Sequence, residues 1–236
     1  MHRIMTSLVV AGLSGAGTSA AAPLAAAETG GVGATSYTLR DAMGLRPPEH
    51  LPAGTTALLL IDQQRLFAAD GGVVLAGGGG ALSRAQAMLA RARALGMPVF
   101  HIRHQVPGSP WFDPTAPGAA GLPEVMPLST EPVLAKRTNG PFASTDLAAR
   151  LQALHIHQVI VLGFMTHLAV DTTAREATAL GYQAVVVADA CATRALPDGR
   201  GGVVPAATVQ TVALAVIADR FAWVADSFEV LPRMVP

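Results

Sequence analysis

Only one of the 236 residues is a cysteine, Cys191. An internal disulfide needs two thiols and a cysteine-based zinc site needs several, so disulfide scaffolds and zinc fingers are excluded. Any thiol chemistry would have to use Cys191. Charge is also scarce: Asp, Glu, Lys and Arg make up 14% of the chain, and 16 basic residues balance 16 acidic ones. With no net field, no basic run and no basic patch interleaved with aromatics, nothing here holds a polyanion, and nucleic acid is not an expected partner. Apolar residues are abundant, at 51%. That composition belongs to a packed protein, and the length suits one well-buried domain.

The first 27 residues read as an export signal: His2 and Arg3, the apolar stretch Ile4 to Leu13, then a small-residue tract ending Ala25-Ala26-Ala27. The apolar run is too short to span a bilayer, so no membrane partner is expected. The location is secreted or periplasmic if the leader acts, and cytoplasmic otherwise. Residues 28–54, rich in Gly, Thr, Ala and Pro without periodicity, read as an irregular arm or linker. The folded domain is expected from Thr55, spanning 55–236.

From there strands and helices alternate. Ala57 to Ile61 (ALLLI) is a continuous apolar run, as in a strand covered on both faces. Further strands are expected at Pro98 to Ile102, Val133 to Ala135, Val159 to Leu162, Ala184 to Val187 and Phe221 to Val224. Helices are expected at Ser83 to Leu95, with Ser83 as cap, and at Leu147 to Leu154, Leu168 to Leu180 and Ala206 to Asp219. Strands spaced by helices argue for right-handed βαβ units, hence an α/β fold: a doubly wound, mostly parallel six-stranded sheet with helices on both faces. The run Gly77 to Gly80 lacks the lysine and spacing of a phosphate loop and reads as a flexible turn.

Ligands of such sheets bind beyond the carboxyl ends of the strands. Asp62 follows the first strand directly, either as an acid or base or as the N-cap of a following helix. Lys136 follows the third strand, where the alternative is an ordinary solvated lysine. The segment Gly163-Phe164-Met165-Thr166-His167-Leu168-Ala169-Val170-Asp171-Thr172-Thr173-Ala174-Arg175-Glu176-Ala177 runs from a strand end through a tight loop into a helix, whose N-terminus offers unpaired N–H groups to an anionic intermediate.

Asp62 in IDQQRLF, Lys136, the segment GFMTHLAVDTTAREA and the stretch VVVADACATRALPD together resemble the isochorismatase-like hydrolases, from Thr55 to the C-terminus. The resemblance implies the same doubly wound fold. In the amide-hydrolysing branch it implies an Asp, Lys and Cys triad, in which Asp62 and Lys136 fill two places and Ala169 stands at the nucleophile's. It also implies an oxyanion hole from the N–H groups of Met165 and Ala169, and a cis peptide between Phe164 and Met165. Alanine has no nucleophile, so thiol catalysis is excluded for this chain as written. Cys191, expected just after the fifth strand among small residues, reads as an inert buried group.

Three explanations follow: a thiol hydrolase of small amide, carbamoyl or nitrile compounds disabled at Ala169; a thiol-independent hydrolase of the isochorismatase type, in which Asp62 protonates a vinyl ether and His167 and a small residue at 169 match that branch; or a non-catalytic binding protein that keeps the pocket. The run Met165-Thr166-His167 followed by Val170 and Thr173-Ala174-Arg175 looks closer to the thiol branch.

His101 and His104 bracket the end of the second strand. The metal-binding members of the family use an Asp-x-His motif, which does not occur between Asp62 and Lys136. No metal or other cofactor is therefore expected. His104 remains a pocket residue, and His155 and His157 read as solvated. The proline-rich stretch from Gln105 to Thr130 reads as a lid or binding loop, with Trp111 and Phe112 covering a small, largely uncharged substrate together with Phe67 and Phe142. For each of these aromatics the alternative is core packing. The low charge, with the family's habit, points to a homodimer or larger homo-oligomer.

Overall fold

A computed structural model of the chain describes residues 37–236; the expected export signal at 1–27 and the start of the arm at 28–36 lie outside the described residues. Strand β1 (Thr56–Ile61) is buried at every position, which explains its unbroken apolar sequence. It is joined by β2 (Val99–His104), β3 (Val133–Lys136), β4 (Gln158–Phe164), β5 (Gln183–Ala192) and β6 (Trp223–Ala225) in one sheet of order β3-β2-β1-β4-β5-β6, all pairs parallel. The chain steps one way from β1 to β3 and the other way from β4 to β6, so right-handed crossovers put the connecting helices on opposite faces. These are α1 (Gly78–Ala94), α2 (Leu147–Ala153), α3 (Asp171–Ala179) and α4 (Ala206–Arg220). The reversal of direction opens a crevice at the carboxyl ends of β1 and β4.

Several local expectations are corrected. Helix α1 begins at Gly78, five residues before the expected Ser83 cap, so the Gly77 to Gly80 run is not a flexible turn. Gly77 sits in the left-handed region at φ 74°, and the Ser83 hydroxyl donates back to the Gly79 carbonyl at 3.1 Å instead of capping. Glycine costs about 1 kcal/mol per helical position relative to alanine. Here Ala81, Ala85, Met88, Leu89 and Ala92 form a continuous buried stripe, and its packing on the sheet carries the helix back through the glycines. The expected helix from Leu168 is divided into a π-helical turn (Thr166–Val170) and α3. Strand β5 runs on to Ala192, with a register shift against β4 between Val161 and Gly163, so Cys191 lies within the strand rather than after it.

The fold also begins earlier than Thr55. Leu51–Pro52 pairs in parallel with Met234–Val235, Leu51 and Met234 are fully buried, and Arg233 Nη1 donates to the Pro48 carbonyl at 2.6 Å. Within the expected arm, a helical turn (Leu39–Ala42) is capped by Thr38, and the Leu39 N–H donates to Asp219 on α4 at 2.9 Å.

One glycine is indispensable to the crevice. Gly163 of β4 is paired with Ile61, has φ 128°, and a Cβ there would overlap the Ile61 carbonyl oxygen. The substitution Gly163→Ala is expected to lower unfolding stability by about 3 kcal/mol or more, because backbone has to move on both strands. Urea denaturation measures this, and a loss below about 1 kcal/mol would contradict it.

Candidate active site

Asp62 leaves β1 with φ 47°, a left-handed backbone in which its N–H donates to the Ile102 carbonyl (2.9 Å) and its carbonyl accepts from the Gln64 N–H (2.8 Å). This turns the carboxylate across the end of β2 toward β3. Its Oδ2 lies 2.8 Å from Lys136 Nζ, and both side chains are almost fully buried, at 6% and 1% exposure. The next helical turn, Arg65–Phe67, has Gln64 at its N-cap and no side-chain cap, so Asp62 is not a capping residue. Nor is Lys136, the last residue of β3, a solvated lysine.

The ammonium of Lys136 is saturated. Beyond Asp62 it donates to the Thr138 carbonyl (3.2 Å) and to His104 Nδ1 (3.2 Å), one acceptor for each of its three hydrogens. It therefore acts as a fixed charge, with no hydrogen left for a substrate. Asp62 keeps one oxygen, Oδ1, buried and without a partner. Burial pushes the Asp62 carboxyl up from 3.8 to about 6, against the pull of Lys136, which favours the ionised form. A carboxyl at that value can take or give a proton near neutrality.

Residues not singled out in the sequence hold this pair. Gln64, fully buried, accepts from the His104 N–H (2.8 Å) and donates to the His104 and Ala119 carbonyls (3.0 Å each), pinning the end of β2 to the base of the long loop. The Thr138 carbonyl is held by its own loop: the Thr138 hydroxyl donates to Gly140, and the Phe142 N–H donates to Glu176 on α3 at 3.1 Å. At Gly140 a Cβ would overlap the Glu176 carboxylate. The one sequence signal for Gln64 was its place two residues after Asp62; the others had none, since their partners are distant in the chain.

The loop that carries Ala169 follows β4. The Phe164–Met165 peptide is cis, where the family resemblance puts it. The Met165 carbonyl accepts from the N–H groups of Leu168 (3.1 Å) and Val170 (3.3 Å), a pair that omits the intervening Ala169 N–H. Ala169 is 3% exposed, and the Thr173 hydroxyl donates to its carbonyl at 2.6 Å.

The aromatics divide. Phe67 packs edge-on to Phe164 (6.0 Å) and lies 6.4 Å from Phe112, whose ring meets His104 at 4.6 Å, so Phe67, Phe112 and His104 form one wall beside the Asp62–Lys136 pair. Phe142 is elsewhere, stacked on Tyr182 at 5.9 Å. Trp111 is 56% exposed. His167 bonds the Thr193 hydroxyl and lines a groove beside α4 rather than joining His104. His101 is engaged by Glu131 at 2.9 Å, and Glu131 in turn by Arg93. That network borders a cavity of about 550 Å³ at the amino end of β2, which contains none of Asp62, Lys136 or Ala169. Among the described residues, no three of His, Cys, Asp or Glu converge as a metal-ligand set. Burial pushes the Cys191 thiol up to about 12, which leaves it protonated and inert.

A family model described as the isochorismatase domain matches residues 56–229. The chain belongs to the isochorismatase family. Within that family it is similar to the secreted isochorismatase effector of Verticillium dahliae, 30% identical over 192 residues that cover 81% of this chain and 97% of the relative. It is similar also to the streptothricin hydrolase of Streptomyces noursei, 31% identical over 179 residues, 75% of this chain and 62% of that one. Among solved structures, a cysteine hydrolase from Pseudomonas syringae pv. phaseolicola matches with a TM-score of 0.74 at 27% identity, over 80% of this chain and 97% of the other. The isochorismatase-like hydrolases are thus the family of this chain.

The electrostatics of the pair are open to test. Removing the ammonium with Lys136→Met leaves the burial of Asp62 and takes away the charge that opposes it, so the carboxyl titration, followed by carbonyl NMR, is expected to move above 6. No movement, or a downward one, would contradict this assignment. Because the folded value is above the unfolded one, the native state binds this proton more tightly, and the contribution of Asp62 to stability is lost as pH rises from about 4 to about 6. Denaturation curves of the unchanged protein minus those of Asp62→Asn are expected to show that downward slope.

Proposed function

We propose that the chain follows the thiol-hydrolase plan of its family, built for a small, largely uncharged amide, carbamoyl or nitrile compound, and that Ala169 leaves the plan without its nucleophile. The observation that carries this reading is the unpartnered, buried Oδ1 of Asp62, whose carboxyl stands at about 6 while Lys136 holds the other oxygen. Similarity to a streptothricin hydrolase and to a cysteine hydrolase supports it. The apolar wall of Phe67 and Phe112 supports an uncharged substrate body.

With a thiol at position 169 the chemistry closes. Asp62 takes the thiol proton, and sulfur attacks the carbonyl carbon. The N–H groups of residues 165 and 169 receive the oxyanion, and Asp62 returns the proton to the departing amine as the C–N bond breaks. Water, relieved of a proton by Asp62, then attacks the thioester and releases the acid and the thiol. As the chain stands, no atom of Ala169 can begin this sequence, and binding is what remains.

A second reading draws on the same carboxyl. Raised to about 6, Asp62 also suits a general acid that protonates a vinyl ether for attack by water, which needs no thiol. The substitution Ala169→Cys separates the two. It is expected to raise hydrolysis of a panel of small amides, carbamoyl compounds and nitriles by about 10³-fold or more, with a rate that rises with pH through about 6 as Asp62 becomes a base. A folded Ala169→Cys protein inactive across the panel, beside an unchanged protein that cleaves isochorismate, would replace the first reading by the second.

The proposal extends to setting and assembly. A leader at 1–27, like the company of a secreted relative, supports export. Self-association is supported by Val212 and Val216, exposed at 55% and 43% in a largely apolar groove on α4, a helix with no charged side chain before Asp219. Light scattering is expected to give a dimer or larger, and Val212→Glu with Val216→Glu to give the monomer; a monomeric unchanged protein would exclude it.

A further inference from the structure

The three acceptors around Lys136 determine more than its own geometry. A lysine N–H can bond a ring nitrogen only where that nitrogen keeps its lone pair, so His104 Nδ1 is unprotonated and the ring hydrogen belongs to Nε2. A second ring proton would stand against the ammonium 3.2 Å away, and burial together with Lys136 holds His104 down at about 4. His104 is thus a neutral ring of one tautomer across the physiological range.

No described residue accepts a hydrogen bond from Nε2. The half-buried ring meets Phe112 edge-on at 4.6 Å, and Phe112 faces Phe67. Beyond Nδ1, therefore, the imidazole sets one neutral N–H in a wall that is otherwise aromatic. Half-buried, that N–H is open to water in the free protein. A molecule whose apolar body fills the space beside Phe67 and Phe112 expels that water and must either supply an acceptor or leave a donor unpaired.

We propose that Lys136 fixes His104 as the Nε2–H tautomer, and that this N–H selects substrates carrying a hydrogen-bond acceptor beside their apolar body. The inference rests on the hydrolase reading for the word substrate, and it deepens that reading: the preferred compounds are small amides or nitriles on a flat apolar group that bears an ether, carbonyl or ring-nitrogen acceptor. His104 is then a specificity residue, and Lys136 positions it while holding Asp62.

The unchanged protein is suited to a binding test, since Ala169 lacks the thiol that would consume a ligand. Calorimetric titration with 4-methoxybenzamide and with the near-isosteric 4-ethylbenzamide, and with the matching pair of nitriles, is expected to show a preference of about tenfold or more for the methoxy member. The preference is expected to vanish in His104→Phe and to return in part in His104→Gln, whose amide can donate. Nitrogen NMR of the labelled imidazole, between about pH 5 and 8, reads the tautomer independently of any ligand. Nε2–H alone is expected in the unchanged protein, and a mixture of tautomers in Lys136→Met. Equal affinities within the pairs, no binding of either member, a preference that survives His104→Phe, or an Nδ1–H ring would each overturn the inference. Hydrolysis by the Ala169→Cys protein is scored separately. Cleavage without acceptor preference overturns the selectivity alone, and acceptor preference in binding without cleavage overturns the hydrolase reading alone.

Discussion

The Asp62–Lys136 ion pair is the constraint on which the crevice depends. Two opposite charges, both nearly out of water, cost several kcal/mol each in desolvation and persist only with close geometry and further hydrogen bonds. The structure supplies both. Asp62 is turned inward by a left-handed backbone at the end of β1, and Lys136 arrives from β3 with two further acceptors, Thr138 and His104, for its remaining hydrogens. Each acceptor brings its own support: Gln64 clamps the backbone of His104, and Glu176 steadies the loop of Thr138. The pair thus organises the ends of three strands, the base of the long loop and one face of α3.

That arrangement divides the labour of charge. Lys136, with every hydrogen engaged, can only bias its neighbours. It keeps Asp62 from rising further above about 6, and it adds to the burial that keeps His104 neutral. One Asp62 carboxylate oxygen is left without a partner, and the His104 ring lies against the edge of Phe112. A chain with only 14% charged residues can afford so few because burial multiplies what each one does.

Ala169 gives the site its particular character. The loop that carries it has a cis peptide and a π-helical turn, and the side chain lies buried in that turn, just before α3. The surrounding structure is complete around a methyl group. Cys191, the chain's only thiol, sits in β5 with its value pushed up to about 12 and offers no substitute. Scarcity of cysteine, at first a statement about disulfides and zinc, also leaves position 169 without a thiol.

Much of this was legible in the sequence. The buried apolar runs of β1 and β4 and the order of strands and helices follow from periodicity, because burial on both faces leaves an unbroken signature at short range. Asp62 and Lys136 drew attention by their places at strand ends, and Ala169 by the resemblance of its segment to the family; the structure brings the first two into one buried pair. Tertiary structure alone decided the rest. That the glycines before Ser83 are helical depends on a sheet for Ala81 and Ala85 to pack on. That Leu51 belongs to the core depends on Met234, at the other end of the chain. Phe142 reads like Phe67 and Phe112 in the sequence, yet its ring stacks on Tyr182 while Glu176 accepts from its backbone. The saturation of Lys136 and the tautomer of His104 arise only when residues from β1, β2 and β3 meet. A hydrogen-bond count is a property of the contact, and no single segment of the chain contains it.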